Sequence, residues 1–516
     1  MTADERRPPD RSTVSVSVTS AGTGAGAGMN VGHTTDAPLG AVPDRPALVV
    51  DGQTVTYRQL EHRIRQVETA LVAAGVAPGD RVALVNLGSV LSVATIFGAA
   101  RIGAASAQMN AYLTPGELGQ LAELTGTRVG VAGDRYVEGL RSALPGPVLT
   151  EAEIFATAVD EGTDPQSLGA GDDTALVLYT SGTTGLPKPI PISHGVVADR
   201  LAYYGKPIDP EAPQVVDLMS APIFHIAGTL GLLVSLVQGK QLVLLPKFDP
   251  GAWLDLVERH RVTQTFVVPT MLRRILDHPR FADTDLSSLR SLSYGAAACP
   301  VDLVRRAVAA FPGVDFSNTF GQTETLGAYA ALSPDDHRRG NRFDSVGRPL
   351  AGVELRIVEP GTENDVEAGA VGEFVVRAVQ NTTTEWLHTG DTGRQDDEGY
   401  LYLVGRLSDT INRGGEKFGP IEVEEVLRTH PAVSDAGVVG VPDADLGERV
   451  GAVVVASEPV TADELLRHCA SRLATYKVPE YLEFADELPV TAMGKPDRPA
   501  LRARLAAARR VGRVTS

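Results

Sequence analysis

The chain has 516 residues, which at roughly 150 residues per domain allows several domains and a core large enough for a complete enzyme. Hydrophobic residues at 43% and charged residues at 22% are ordinary globular composition and exclude a wholly disordered or fibrous chain. The net charge of -17, from 47 basic against 64 acidic side chains, opposes nucleic acid or an anionic membrane as the main partner, so a polyanionic ligand must be met by a local device.

Residues 1–45 read as a disordered extension: Asp4 and Glu5 are followed over 12–28 by a Ser/Thr/Gly/Ala stretch without the apolar centre of a signal peptide, and Met29 could itself be the start. Patterned sequence begins at Ala47. From there short apolar runs such as 81–85 and 128–132 alternate with helical stretches such as 58–74, the mark of an α/β fold with buried sheets. The apolar run 223–237 is too short to span a membrane comfortably and contains His225, so it reads as a buried core helix. Over 353–358 and 372–377 apolar and polar residues alternate, which predicts a small antiparallel β element. After Gly405 a compact α+β unit follows, with helices over 421–428 and 461–473 and strands over 436–441 and 450–455. The tail 498–513 reads as an Ala/Arg-rich helix with a solvated charged face. Cys299 and Cys469 are far apart and lack metal-ligand spacing, which fits neither a disulfide framework nor zinc and suits a reducing cytoplasm. The fold class expected is α/β: an N-terminal domain of α/β sheets with a small β element over 46–404, a hinge over 405–409, and a small mobile α+β domain over 410–516.

The densest chemistry lies in YTSGTTGLPKP (179–189), directly after the apolar strand 175–178. Gly182 and Gly185 let backbone N–H groups approach a polyphosphate, Thr180, Ser181, Thr183 and Thr184 add hydroxyls, and Lys188 supplies a cation. A P-loop would need G-x-x-x-x-G-K-[ST] opening a helix. Here the glycine spacing differs, and Pro187 and Pro189 flank the lysine and prevent a helix from starting there.

This loop resembles the phosphate-binding signature of the adenylate-forming superfamily, and further segments resemble that family's motifs in order: APIFHIAG (221–228), YGAAACP (294–300), NTFGQTE (318–324), HTGD (388–391), GRLSDTINRGGE (405–416) and PVTAMGKPDR (489–498). The resemblance covers about residues 46 to 505 and implies an acyl-CoA synthetase-like enzyme that uses ATP, Mg²⁺ and coenzyme A. It would activate a carboxylic acid as the acyl-adenylate with release of pyrophosphate, then form the thioester with CoA. By carry-over, Gly295, Ala296 and Ala297 lie against adenine, and Phe320 packs on it with Asn318, Thr319 and Gly321 beside it. Thr323 meets the α-phosphate, Glu324 holds Mg²⁺, Asp391 accepts from the ribose hydroxyls, Arg406 adds a ribose or phosphate contact, and Lys495 is the catalytic lysine of the C-terminal domain.

The physical demands agree with those roles. A carboxylate approaching the α-phosphate brings two anions together, so cations and donors must converge there, and Lys188, Lys495, Thr323 and a Glu324-held Mg²⁺ are the candidates. By the same carry-over His225 is a catalytic candidate bordering the reacting carboxylate and the ATP phosphates, and His225, Ile226, Leu230, Val268, Thr325, Gly327 and Ala328 are candidate walls of the acyl pocket. No carboxylate stands in that segment to bind an α-ammonium group, which favours a fatty, aryl or polycyclic acid over an amino acid. Gly414 and Gly415 would let the pantetheine chain pass, and Lys417 and Lys247 could meet CoA phosphates.

Three positions depart from the family's pattern: Ser408 stands at the hinge in place of Asp or Lys, Pro189 follows the clamp lysine in place of Gly, and Ala296-Ala297 occupy a segment where Gly is frequent. The altered hinge leaves room for a second expectation, an enzyme that hands its acyl-adenylate to an acyl carrier protein or a separate transferase. A non-catalytic binding protein is disfavoured by retention of Lys188, Glu324, Asp391, Arg406 and Lys495 together. A homodimer is compatible with the sequence, which does not itself specify an oligomeric state.

Overall fold

A computed structural model describes residues 28–159, 167–180, 187–205, 207–491 and 496–506. A six-stranded sheet runs in the order Val148–Thr150, Val129–Ala132, Arg81–Val85, Ala105–Gln108, Thr174–Thr180 (β1) and Lys188–Ser193 (β2). Every pair is parallel except β1–β2, which is antiparallel and puts β2 at the edge. That edge position accommodates Pro189 and Pro191, which cannot donate to a ladder. The His194–Tyr204 helix (α1) follows β2 and is capped by Ser193, whose side chain accepts from the Val196 N–H.

The second sheet has nine strands. Its central strands Pro46–Val50, Gln241–Leu244, Val216–Met219, Gln264–Val267, Ser291–Gly295 (β3) and Asp315–Gln322 (β4) are parallel, and Gly327–Leu332 (β5) adds antiparallel to β4. The apolar runs in these strands follow from burial of both sheet faces. Helices Val90–Arg101 and Ile226–Val237 (α2) lie in a core shared by both sheets, with Leu84 and Leu176 from one and Leu48 and Leu242 from the other. The run 223–237 is therefore core, and among the described residues no helix is long and apolar enough to cross a membrane.

The alternating segment forms two strands of a four-stranded antiparallel sheet, Glu354–Val358 and Gly372–Arg377, continued by Leu387–Gln395 (β6) and Leu401–Arg406 (β7). After a short 3-10 turn over Leu407–Asp409, a five-stranded sheet and the helices Pro420–Arg428, Ala462–Ala470 and Arg498–Ala506 build a separate core around Val423, Val438, Val453 and Leu501.

One expectation changes at the N-terminus. The segment 28–45 belongs to the packed structure: Val31 is fully buried, and the Asn30 side-chain amide donates to the carbonyls of Ala100 (2.8 Å) and Gly169 (2.9 Å). The Val31 N–H donates to His194 Nδ1 at 3.0 Å. A six-residue helix, Asp36–Ala41, completes it. These ties come from single polar groups rather than from a repeating apolar pattern, so periodicity gave no sign of them. The remainder of the expected extension, 1–27, lies outside the described residues.

Candidate active site

The parallel strands of the larger sheet deliver the candidate residues to one end. Beyond the carboxyl ends of Val216–Met219, Gln264–Val267, β3 and β4 come His225, Val268, Ala296 and Thr323 respectively. In open α/β sheets this is the edge at which ligands bind, because the connections there are free to vary while the strands fix their origins. Thr180 stands at the carboxyl end of β1 and pairs in register with Lys188 of β2. The hairpin thus holds both ends of the Gly/Thr loop; its residues Ser181, Gly182, Thr183, Thr184 and Gly185 lie outside the described residues. Phe224 and Val177 share a buried cluster with Tyr179 packed against it, which brings the segment bearing His225 onto β1. His225 stands at the N-cap position of α2, its side chain making no capping hydrogen bond and its ring centroid 4.8 Å from that of Phe224. The Thr229 hydroxyl braces the loop through Ile223 O (2.6 Å) and Gln108 Oε1 (2.9 Å).

Gly295 lies opposite Thr319 in the β3–β4 register, and a Cβ there would stand 2.2 Å from Thr319 O, so only glycine fits. Ala296, next in the chain, has φ +66°. This left-handed backbone is where glycine is favoured, and alanine accepts it at a cost of roughly 1–2 kcal/mol. Asn318 is buried, and the Thr319 hydroxyl donates to Tyr294 O at 3.3 Å. Phe320 meets Tyr329 edge to face with centroids 5.2 Å apart, which fixes its ring as a wall.

Between β4 and β5 a tight turn carries Thr323 and Glu324, both half-buried. Thr325 builds this turn: its hydroxyl donates to Gly327 O at 2.6 Å and accepts from the Gln322 N–H at 3.1 Å. With that hydroxyl spent on backbone, Thr325 shapes the loop. Val268 is likewise 1% exposed within a cluster containing Trp253 and Tyr294. Leu230 and Gly327, by contrast, meet: a Cβ on Gly327 would stand 2.7 Å from Leu230 Cδ2. The Glu324 carbonyl accepts from the Thr382 N–H at 2.9 Å, anchoring the turn to the small sheet's side of the molecule.

That sheet supplies Asp391 and Arg406, paired across β6 and β7. Asp391 is 3% exposed and accepts from Arg406 Nε at 2.7 Å, while Tyr329 Oη donates to its other oxygen at 3.5 Å. Arg406 Nη2 donates to Gln322 Oε1 at 3.3 Å. Partial desolvation works against the Arg406 charge, but Asp391, then Asp409 and Glu324, outweigh it and hold its pKa above the usual value. Nearby, His388 bridges Glu363 and Glu373 at 3.0 Å each, and these two carboxylates raise its pKa.

Gly414 (φ +63°) and Gly415 (φ +96°) form the exposed tip of a hairpin between Ile411–Arg413 and Glu416–Phe418, a turn that itself demands two left-handed residues. Lys417 and Lys247 are exposed. Ser408 is exposed in the 3-10 turn, and its neighbour Asp409 pairs with Arg498 at 2.9 Å. Arg273 joins the helix Pro269–Leu276 to the C-terminal sheet through Asp435 at 3.2 Å. Lys495 lies outside the described residues. Burial pushes the thiols of Cys299 and Cys469 up to about 12, so neither offers a thiolate.

Three residues of this region escaped the sequence reading. Gln322 lies inside a quoted motif, and Tyr329 is signalled only by its alternation with β5 neighbours. Arg200, on α1, reads as a solvated helix charge yet is 1% exposed. As to a metal, no group of three or more His, Cys, Asp or Glu among the described residues could hold one alone. The single carboxylate of Glu324 is the kind of ligand Mg²⁺ takes, since that ion accepts one or two carboxylates and completes its shell with phosphate oxygens and water.

The chain matches two family profiles, "AMP-binding enzyme" over residues 37–384 and "AMP-binding enzyme C-terminal domain" over 422–495. It is 36% identical over 472 residues to a feruloyl-CoA synthase of an Amycolatopsis species, covering 88% of this chain and 94% of that protein. Among solved structures it resembles an amide bond synthetase from Marinactinospora thermotolerans, with TM-score 0.82 and 29% identity over 92% of this chain and 99% of that one. An o-succinylbenzoate CoA synthetase from Bacillus subtilis, in complex with its acyl-adenylate, matches with TM-score 0.81 and 29% identity over 93% and 99% of the two chains. The chain belongs to the AMP-binding enzyme family, the adenylate-forming enzymes of acyl-CoA synthetase type.

Proposed function

We propose that this protein is an AMP-forming acid–thiol ligase for a fatty, aryl or polycyclic carboxylic acid without an α-amino group. The observation that carries the reading is the linkage of the Thr323–Glu324 turn to the Asp391–Arg406 pair through Gln322 and Tyr329, at the carboxyl ends of parallel strands. In the first half-reaction a carboxylate oxygen of the substrate bonds to the α-phosphorus of ATP, the bond from that phosphorus to the α–β bridging oxygen breaks, and pyrophosphate leaves. Charge builds on the phosphoryl oxygens. Thr323, Lys188 and Lys495 are assigned to that charge, and Glu324 to Mg²⁺, which when bound neutralises phosphate oxygens. Asp391 accepts from the ribose hydroxyls, with Arg406 fixing its orientation, and Phe320 with the 295–297 segment holds adenine. In the second half-reaction the CoA thiolate attacks the acyl carbon and AMP departs with the electron pair of the acyl–phosphate bond; the thiol proton passes to solvent. Gly414, Gly415, Lys417 and Lys247 are assigned to CoA, and Ser408 to the hinge that exchanges Lys495 for the glycine hairpin.

A domain division at 405–409 belongs to the same reading, supported by the separate core that follows it. So does a cytoplasmic location, supported by two free cysteines. Transfer of the acyl group to a carrier protein or other acceptor is the second reading, favoured by Ser408 and by the likeness to an amide bond synthetase. A panel of carboxylic acids with MgATP, with and without CoA, separates the two. Acyl-CoA and AMP identified by mass spectrometry support the ligase; acyl-adenylate that accumulates and ignores CoA supports the second reading; no pyrophosphate from any acid defeats both.

A further inference from the structure

Arg200 is a buried cation without an acid. It lies on α1, is 1% exposed, and has no carboxylate within ion-pair distance among the described residues. Its Nη2 donates to Ala328 O at 3.0 Å and to Tyr204 Oη at 3.1 Å, and its guanidinium stands 5.4 Å and 5.2 Å from the ring centroids of Tyr203 and Tyr204. The buried Nε has no hydrogen-bond partner among the described residues. A guanidinium carries five N–H donors in a rigid fork, and leaving such a group dry and unsatisfied is costly unless something else fills the vacancy in its hydrogen bonding. Arg200 shares its surroundings with the acyl-pocket candidates: Nη2 is 3.7 Å, and Leu230 Cδ2 2.7 Å, from the point where a Cβ of Gly327 would lie.

Its distance from the chemistry can be read along α2. That helix starts after His225, at the end assigned to the reacting carboxylate, and Leu230 lies five residues on. At 1.5 Å of rise per residue this is about 7.5 Å further along the axis, close to the length of one aromatic ring with its attachment. A group at that depth would lie nearer the far end of a substrate than its activated carboxylate.

We infer that Arg200 is a specificity-determining residue that selects acids bearing an oxygen acceptor, a phenolic oxygen or a second carboxylate, at the end remote from the carboxylate that is activated. The inference rests on the acid-activating reading above. An oxygen there accepts from the Nε–H, which has no acceptor among the described residues, and an anionic one also neutralises the buried charge. The same site favours an acid that carries the oxygen over an analogue that lacks it, because only the former supplies the Nε–H with an acceptor.

The test measures pyrophosphate release with matched acids: cinnamate, 4-hydroxycinnamate and 4-carboxycinnamate as one arm, hexanoate and hexanedioate as another. The wild type should use an oxygen-bearing member with a kcat/KM at least about tenfold above its bare partner. Arg200→Met should remove that preference, chiefly through KM, and alter the bare acid less than about threefold. The 4-hydroxy and 4-carboxy arms separate a neutral acceptor from an anionic one. Arg200→Gln keeps a donor for Ala328 O and carries the comparison if Arg200→Met does not fold. Equal use of matched acids by the wild type overturns the inference, as does an equal loss on both members in the variants, which is what a purely structural tie between α1 and β5 would give. Absence of pyrophosphate with every acid defeats the acid-activating reading as well.

Discussion

Asp391 and Arg406 face each other across β6 and β7 with the guanidinium Nε 2.7 Å from a carboxylate that is almost wholly buried. The antiparallel register makes the pair, and Tyr329 and Gln322 tie it to the turn that bears Thr323 and Glu324. A small sheet that looks peripheral in the strand order thereby places an acceptor and a cation beside the parallel-strand ends.

Replacing Asp391 by Asn keeps the shape but turns an acceptor-only group into one that also donates, and it leaves Arg406 without its counter-ion. Hydrogen bonds to charged groups contribute about 1.5–3 kcal/mol, so AMP affinity measured by calorimetry should fall by about ten- to a hundredfold. An unchanged affinity in a folded Asp391→Asn protein removes Asp391 from the nucleotide site.

Lys495→Ala should lower the adenylation half-reaction by about two to three orders of magnitude, as loss of a main charge-stabilising donor does. If Lys495 serves only that half, pre-formed acyl-adenylate should still be converted to thioester near the normal rate. Near-normal exchange of pyrophosphate into ATP would exclude the lysine from the mechanism.

His194 gives a pH dependence. Burial holds its pKa down, from the usual 6.5 to about 4, and its Nδ1 accepts from the Val31 N–H, so the fold wants the neutral ring. A group whose folded pKa is depressed contributes stability that is whole above the unfolded pKa. That contribution should fade as pH falls from about 6.5 towards 4, amounting to roughly 3 kcal/mol at most. Urea midpoints of the wild type should drop over this window more than those of His194→Gln. Parallel curves for the two proteins would contradict it.

Arg101 is fully buried against Glu61 at 2.7 Å, far from the strand ends that carry the site. Glu61→Ala leaves that guanidinium short of its main partner and should destabilise the protein by about 3 kcal/mol. Catalysis per folded molecule should stay within about twofold, since the change touches no substrate-facing group. A loss of specific activity without loss of stability would mean the two regions are coupled.

Strands of the six-stranded sheet were legible because burial of both faces writes continuous apolar runs, as in 81–85 and 175–178. The Gly372–Arg377 strand was legible through alternation. Asp391 and Arg406 were named from motifs, but their mutual contact depends on a strand register that local sequence does not encode. Thr325 was expected as a small wall of the acyl pocket; that its hydroxyl closes the turn was not legible, since it is a competition between side chain and backbone that spacing cannot resolve. Arg200 was invisible because a helix arginine defaults to solvent, and its contacts with Ala328 O and the Tyr203 and Tyr204 rings are set by tertiary packing.

Acid-dependent exchange of labelled pyrophosphate into ATP tests the central claim most directly, because it reports reversible acyl-adenylate formation without needing CoA. The wild type should exchange only when a suitable carboxylic acid is present, and folded Glu324→Gln and Asp391→Ala proteins should lose at least about tenfold of that rate. Exchange that ignores the acid, or that survives both substitutions undiminished, would contradict an adenylating site at the ends of these strands.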